Sequence, residues 1–209
     1  HESPLWDYET TRISLERTNR WALQSIAAHK RKDQLMYGIV HGGAYEDLRR
    51  ESARTLGAMD FDGYGIGGSF TKDDMATAVK WVCEELPEGK PRHLLGIGEP
   101  LDMLLAIENG IDTFDCVEPT RLARNGIVYQ RVKRNFVRVD LMKSRHASDK
   151  NPIQKNCACY TCQNFSLSFL HHLLKERELL GYYLATYHNL FVFEEFFREL
   201  RRDVGEGRL

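Results

Sequence analysis

The sequence predicts an α/β protein built on a parallel sheet, and three observations carry that expectation. Four short strand-like runs, at residues 35–40, 63–66, 93–97 and 112–117, recur at intervals of roughly 20 to 30 residues. Between successive runs lies a segment whose apolar residues keep the helical period, the pattern of βα units around parallel strands. No GxGxxG phosphate turn follows any of the runs, which argues against an open doubly wound sheet. A closed (β/α)8 barrel needs eight strands and about 250 residues. Four units in a chain of 209 residues therefore supply about half of one.

The elements follow in order. Residues 8 to 30 read as a helix with Leu15, Ala22 and Ile26 on one side. The first strand ends at the turn signal Gly42-Gly43. The next helix carries Leu48, Leu56 and Met59, and the strand after it is closed by Gly67-Gly68. Met75, Val79, Val82, Cys83 and Leu86 define a third helix, in which Cys83 is a small core residue. Pro91 precedes the third strand, Pro100 opens a fourth helix through Leu101, Leu104 and Leu105, and Gly110 stops it before the fourth strand. After Pro119 the pattern changes. Residues 127–129 and 136–139 read as short antiparallel strands, then come a polar stretch, a cysteine cluster and two amphipathic helices at 164–180 and 187–201. The expected organisation is thus a βα part over residues 1–124 and a small metal-stapled α+β appendage over 125–209.

Composition excludes several classes. With 42% hydrophobic and 28% charged residues, the chain matches neither disordered nor collagen-like proteins. No run of eighteen apolar residues exists and the first residues carry no signal-peptide feature, so the expectation is a cytoplasmic protein with no membrane partner. The net charge of -1 means that any nucleic-acid contact must come from a local basic face.

Two constellations carry chemistry. Cys157, Cys159 and Cys162 form a CxCxxC cluster, close enough in sequence to place three thiolates around one tetrahedral ion. A structural Zn2+ with a Cys3His set is the economical reading, with His171, His172 and His188 as candidates for the fourth ligand. The second constellation spans residues 114–124, Phe-Asp-Cys-Val-Glu-Pro-Thr-Arg-Leu-Ala-Arg, at the carboxyl end of the fourth strand. In a barrel that end bears the catalytic side chains. Asp115 there can serve as nucleophile or acid/base, and Arg121 and Arg124 can hold phosphates or bases. On chemistry alone a solvated strand end with a capping Asp fits equally well. Cys116, on the other face of that strand, reads as packing.

Five motifs in order, Gly38-Ile39-Val40-His41-Gly42-Gly43, Gly63-Tyr64-Gly65-Ile66-Gly67-Gly68, His93-Leu94-Leu95-Gly96-Ile97-Gly98, residues 114–121 and Cys157-Ala158-Cys159-Tyr160-Thr161-Cys162, resemble the queuine/archaeosine tRNA-ribosyltransferase family across nearly the whole chain. The resemblance implies the carboxyl-terminal half of a tRNA-guanine transglycosylase, a pentosyltransferase that exchanges the wobble guanine of tRNA for a 7-deazaguanine in queuosine-type modification. It makes Asp115 the nucleophile that attacks C1′ of the guanosine and forms a covalent ribosyl-enzyme. Gly67 and Gly68 would read the heterocycle through backbone, where missing side chains permit close approach, with Ser69, Leu95 and Gly96 lining the same pocket. Arg121 and Arg124 would hold anticodon-loop nucleotides. Cys157, Cys159, Cys162 and His188 would be the zinc ligands, leaving His171 and His172 as helix residues. A homodimer through the zinc-containing region is also implied.

The chain departs from the family pattern in two places. His41 stands where most relatives carry Gln, and a neutral imidazole offers a donor and an acceptor on opposite ring atoms rather than on one amide, so the choice of base is open. The family's amino-terminal half, with an acid/base aspartate, is absent, and residues 1–4 resemble the sequence just after a second base-binding aspartate. Activity is therefore expected to need complementing strands. The alternative, from another class, is a non-catalytic tRNA-binding or dimerisation subunit. A zinc-stabilised module without an RNA partner would explain the cysteines but not the βα motifs.

Overall fold

The computed structural model describes residues 2–3, 5–67 and 74–209 and resolves into two compact units, 1–116 and 117–209. Within the first, α1 (Tyr8–Ala28) is capped by Asp7, whose carboxylate accepts from the Thr10 amide at 2.8 Å. There follow β1 (Tyr37–Val40), α2 (Glu46–Gly57), β2 (Gly63–Ile66), α3 (Met75–Cys83), β3 (Arg92–Leu95), α4 (Pro100–Glu108, with its proline in the first turn) and β4 (Thr113–Asp115). The four strands form one parallel sheet in the order β1-β2-β3-β4, so each crossover leads to the adjacent strand. The expected parallel α/β sheet is present.

Strand alternation sorts the side chains into two faces. Val40, Ile66, Leu94 and Phe114 are paired across the sheet and point to one side. There they meet Ala53 and Leu56 of α2, Met75, Val79 and Val82 of α3 and Ala106 of α4, with Ala22 and Ile26 of α1 packed against the same core. All four helices thus cover a single face, whereas a doubly wound sheet distributes them over both. Cys83 lies half-buried at the edge of this core, and burial pushes its thiol up to about 11. The opposite face carries Tyr37 and Ile39, then Gly63 and Gly65, then His93 and Leu95, then Thr113 and Asp115. Neighbouring side chains lie close over the β2 glycines: a Cβ on Gly63 would stand 2.6 Å from the Tyr37 ring, and one on Gly65 would stand 2.7 Å from Ile39 Cδ1 and displace that side chain.

The second unit begins with α5 (Glu118–Arg124), followed by the antiparallel pair β5 (Ile127–Val132) and β6 (Asn135–Asp140), α6 (Tyr160–Asn164), α7 (Leu167–Lys175) and α8 (Leu179–Gly205). The division therefore falls between Cys116 and Val117 rather than after residue 124. The cause is Asn189 of α8, a buried amide that donates to the carbonyls of Pro119 and Ile127 at 2.9 and 3.1 Å and accepts from the Tyr129 amide at 3.0 Å. Tyr129 adds a hydroxyl bond to Glu118 at 3.0 Å, so α5 is latched to β5 and α8. The last helix starts well before residue 187, where the sequence pattern places it. Gly181, which by propensity argues for a break, instead permits a close crossing: a Cβ there would lie 2.9 Å from Leu173 Cβ of α7. Among the described residues no helix is long and apolar enough to cross a membrane.

Candidate active site and metal centre

The register of the sheet brings several of the expected site residues into one row. Leu95 pairs with Asp115, and continuing the β1/β2 and β2/β3 registers by one step places His41 beside Gly67 and Gly67 beside Leu95. His41, Gly67, Leu95 and Asp115 therefore share the uncovered face at the carboxyl ends of the four strands, the end at which parallel sheets gather reactive groups. Contact is tight at the β1/β2 step, because a Cβ on Gly67 would stand 2.7 Å from the His41 ring. Gly96 follows in the left-handed region at φ 72, where glycine carries no steric penalty. Gly68 and Ser69 lie outside the described residues.

Asp115 is exposed, and its Oδ1 accepts from the Gly96 amide at 3.1 Å and from Nε2 of His93 at 3.2 Å. The other ring nitrogen of His93 lies 2.9 Å from Thr113 Oγ1. His93 belongs to a quoted motif, yet no sequence signal singles it out. Its relation to Asp115 follows from the β3/β4 register, in which His93 pairs with Thr113, one row below Leu95 and Asp115.

Beneath the row, Arg49 of α2 is fully buried and joins Gly43, in the turn after β1, to Gly67 at the end of β2. Its Nε donates to the Gly43 carbonyl at 2.5 Å, and both terminal nitrogens donate to the Gly67 carbonyl at 3.3 Å. Glu2, also buried, accepts from the Gly42 and Gly43 amides at 3.0 and 2.8 Å. Burial lowers the Arg49 pKa to about 10, and the Glu2 charge opposes the fall. Gly42, at φ 137, admits no side chain, since a Cβ would lie 2.6 Å from the Arg49 amide nitrogen. Burial likewise holds His41 below the ordinary imidazole value, with Glu2 opposing and Arg49 adding to the shift, so the ring is neutral near pH 7. A cavity of about 540 Å³ opens between α1 and the outer edge of β1, lined by Arg17, Thr18, Trp21, Tyr37, Ile39 and His41 among others.

In the second unit, Cys157, Cys159, Cys162 and His188 are buried together, with one ligand atom from each lying within 4.8 Å of all the others. Nδ1 of His188 stands 3.9, 3.3 and 3.4 Å from the three sulfurs in order. A tetrahedral ion with thiolates at ~2.3 Å separates its ligands by roughly 3.8 Å, so the donor set fits a metal with little rearrangement. The imidazole is already turned for this. Its Nε2 donates to the Tyr129 carbonyl at 2.7 Å, which leaves the Nδ1 lone pair facing the sulfurs. The neighbouring Cys157 and Cys162 thiols pull Cys159 down to about 3, while the same crowding pushes Cys162 up. His171 and His172 take no part. Both lie on α7, where His171 is buried with Nδ1 2.7 Å from the Leu141 carbonyl. Arg121 and Arg124, on α5, have exposed guanidinium groups with no ion-pair partner among the described residues.

Comparison with known proteins identifies the family. The model of the family described as queuine tRNA-ribosyltransferase matches residues 2–209. A queuine tRNA-ribosyltransferase of Fusobacterium nucleatum is 43% identical over 201 residues, 93% of this chain and 53% of that protein. A putative queuine tRNA-ribosyltransferase of Archaeoglobus fulgidus is 42% identical over 212 residues, covering 98% and 52%. A queuine tRNA-ribosyltransferase of Moorella thermoacetica is 42% identical over 204 residues, covering 96% and 54%. The chain spans about half the length of these curated relatives, and it belongs to the queuine tRNA-ribosyltransferase family.

Proposed function

We propose that this chain is the nucleophile-bearing half of a tRNA-guanine transglycosylase, exchanging the wobble guanine of tRNA for a 7-deazaguanine through a covalent link to Asp115. The observation that carries the reading is the row His41, Gly67, Leu95 and Asp115, which sets an exposed carboxylate beside the bare backbone of Gly67 and the flanking side chains of His41 and Leu95, where a planar base can approach. Gly67, Gly68, Ser69, Leu95 and Gly96 form the base pocket, and His41 contributes to the choice of base. Arg121 and Arg124 take anticodon-loop nucleotides, a role suited to exposed guanidinium groups with no ion-pair partner among the described residues.

The sheet is about half of a (β/α)8 barrel. This is supported by helices confined to one face and by β1 and β4 having one strand neighbour each among the described residues. Further strands complete the barrel and bring the acid/base group that exchange requires. The Cys157, Cys159, Cys162 and His188 set holds a structural Zn2+, which supplies folding free energy to the second unit and no open catalytic position. A homodimer through this unit is supported by its exposed Tyr160, Phe169 and Tyr187, with Tyr160 meeting Tyr187 and the half-buried Phe165, which stacks on Phe169 at 5.3 Å.

The test is guanine exchange into tRNA by the exchange-competent assembly and its Asp115→Asn variant. The substitution keeps the shape of the carboxylate and removes the anionic nucleophile, so tRNA binding persists while exchange and the denaturation-resistant tRNA adduct both disappear. An Asp115→Asn enzyme with near-normal exchange overturns the assignment. Tight tRNA binding without exchange in every assembly supports a non-catalytic subunit instead.

A further inference from the structure

Among the described residues the carboxylate of Asp115 is engaged on one oxygen only. Oδ1 accepts from the Gly96 amide and from His93 Nε2, and among the described residues no donor reaches Oδ2. An ionised carboxylate only accepts, so Nε2 carries a proton in this contact. In the neutral ring Nδ1 is then the acceptor, and the Thr113 hydroxyl at 2.9 Å supplies the proton. Thr113 thereby selects the tautomer that can serve Asp115. The register makes the arrangement rigid, since His93 pairs with Thr113 and Leu95 with Asp115 on adjacent strands of one sheet.

We propose that Thr113 and His93 form a positioning relay that fixes Oδ1 of Asp115 and leaves Oδ2 as the atom that bonds to ribose. The inference rests on the reading of Asp115 as the nucleophile. In the first half of exchange the Oδ2–C1′ bond forms as C1′–N9 breaks, the electron pair passing to N9 of guanine, which takes a proton from water or from the acid/base group that the further strands bring. In the second half N9 of the incoming deazaguanine bonds to C1′ and releases its proton to water, and the Oδ2–C1′ pair returns to the carboxylate. Oδ1 is the carbonyl oxygen of the intervening ester and keeps both donors throughout. Hydrogen bonds strengthen as charge builds on their acceptor, so the relay assists most where the carboxylate departs. His93 acts through Asp115 and is a positioning residue.

The experiment measures exchange kinetics and the steady-state fraction of covalent tRNA adduct in exchange-competent enzyme carrying His93→Phe, His93→Gln, Thr113→Val or Asp115→Asn. Losing one hydrogen bond to a charged group should lower kcat by about ten- to a hundredfold, with KM for tRNA little changed. Because departure of the carboxylate slows most, the adduct fraction should rise in His93→Phe, an outcome that general loosening of the fold would not produce. His93→Gln, whose amide can replace the donor, should recover part of the rate. A readout independent of activity is the 15N pattern of His93 in the full chain, expected to show Nε2 carrying a proton and Nδ1 hydrogen-bonded to Thr113, and altered by Thr113→Val. Wild-type kcat and adduct level in His93→Phe, with Asp115→Asn inactive, overturn the relay alone. So does an Nδ1–H tautomer in the wild-type chain. An active Asp115→Asn enzyme instead overturns the nucleophile reading on which the relay rests.

Discussion

Replacing Arg49 by Met tests whether the first unit depends on its buried guanidinium. Met fills much of the volume of the stem, so a cavity contributes little and the loss is polar. Two buried carbonyls, Gly43 and Gly67, lose their side-chain donor, and the buried carboxylate of Glu2 loses a compensating charge. An unmet buried acceptor costs about 1–3 kcal/mol. With two such carbonyls the loss is roughly 2–6 kcal/mol, and the charge that offsets the buried Glu2 carboxylate goes with it. The expected destabilisation is therefore on the order of 4 kcal/mol, a fall of about 2 M in the urea midpoint for an ordinary m-value. All three tryptophans, Trp6, Trp21 and Trp81, lie in the first unit, so tryptophan fluorescence follows its unfolding separately from the second. The companion variant is Glu2→Gln combined with Arg49→Met. Its neutral amide can still accept from Gly42 and Gly43 without leaving a bare charge, so the double variant should be more stable than Arg49→Met alone. A single variant within about 1 kcal/mol of the parent, or a double variant less stable than the single, refutes the reasoning.

Three further outcomes are expected. Cys159→Ser should lose the metal and loosen residues 117–209, read by metal content and by proteolysis; an unchanged metal stoichiometry contradicts the Cys3His assignment. Arg121→Ala and Arg124→Ala should each weaken tRNA binding and, where the lost contact is to phosphate, reduce the slope of log affinity against log salt by about 0.7; an unchanged slope and affinity excludes the contact. His41 has a lowered folded pKa, so the unfolded chain binds the proton first: stability is fully present above the ordinary imidazole value and declines as pH falls toward the folded value. His41→Gln should remove that decline, and identical acid-side urea midpoints in both proteins count against it.

The helices and the parallel strands were legible because their apolar periods differ, and the row His41, Gly67, Leu95 and Asp115 was legible as separate motifs. Their convergence depends on register, which a sequence does not print. His93 was missed for that reason: only the pairing of His93 with Thr113 places it next to Asp115. Arg49 was missed because a charged residue between apolar helix positions reads as solvated, and burial becomes visible only when the Gly43 and Gly67 carbonyls are found around it. The start of α8 was misplaced because propensity penalises Gly181, while its value lies in a crossing with Leu173 that is tertiary in origin. The cysteine cluster needed no such context, since its spacing already brings three sulfurs close enough to ligate one ion. Choosing among the three histidines did need it, and the Tyr129 carbonyl behind His188 supplies the physical reason.

The one-sided sheet carries the last expectation. Its uncovered face presents Ile39 as an exposed apolar side chain, and its outer strands β1 and β4 hold backbone groups that lack a strand partner among the described residues. Exposed parallel edges beside apolar surface favour pairing with other chains, and a barrel removes them by closure. The cavity of about 540 Å³ along the outer edge of β1, floored by Tyr37 and Ile39 and walled by Trp21 of α1, adds apolar surface at one of those edges. We therefore expect the 209-residue chain on its own to associate or aggregate, and to become monodisperse when strands from another polypeptide segment cover the edges. Sedimentation of the chain, alone and with a polypeptide that supplies the remaining barrel strands, measures this directly. A monomer that stays dispersed across the concentration series and carries full exchange activity unaided shows that the open face and edges need no cover, and with that the half-barrel reading falls.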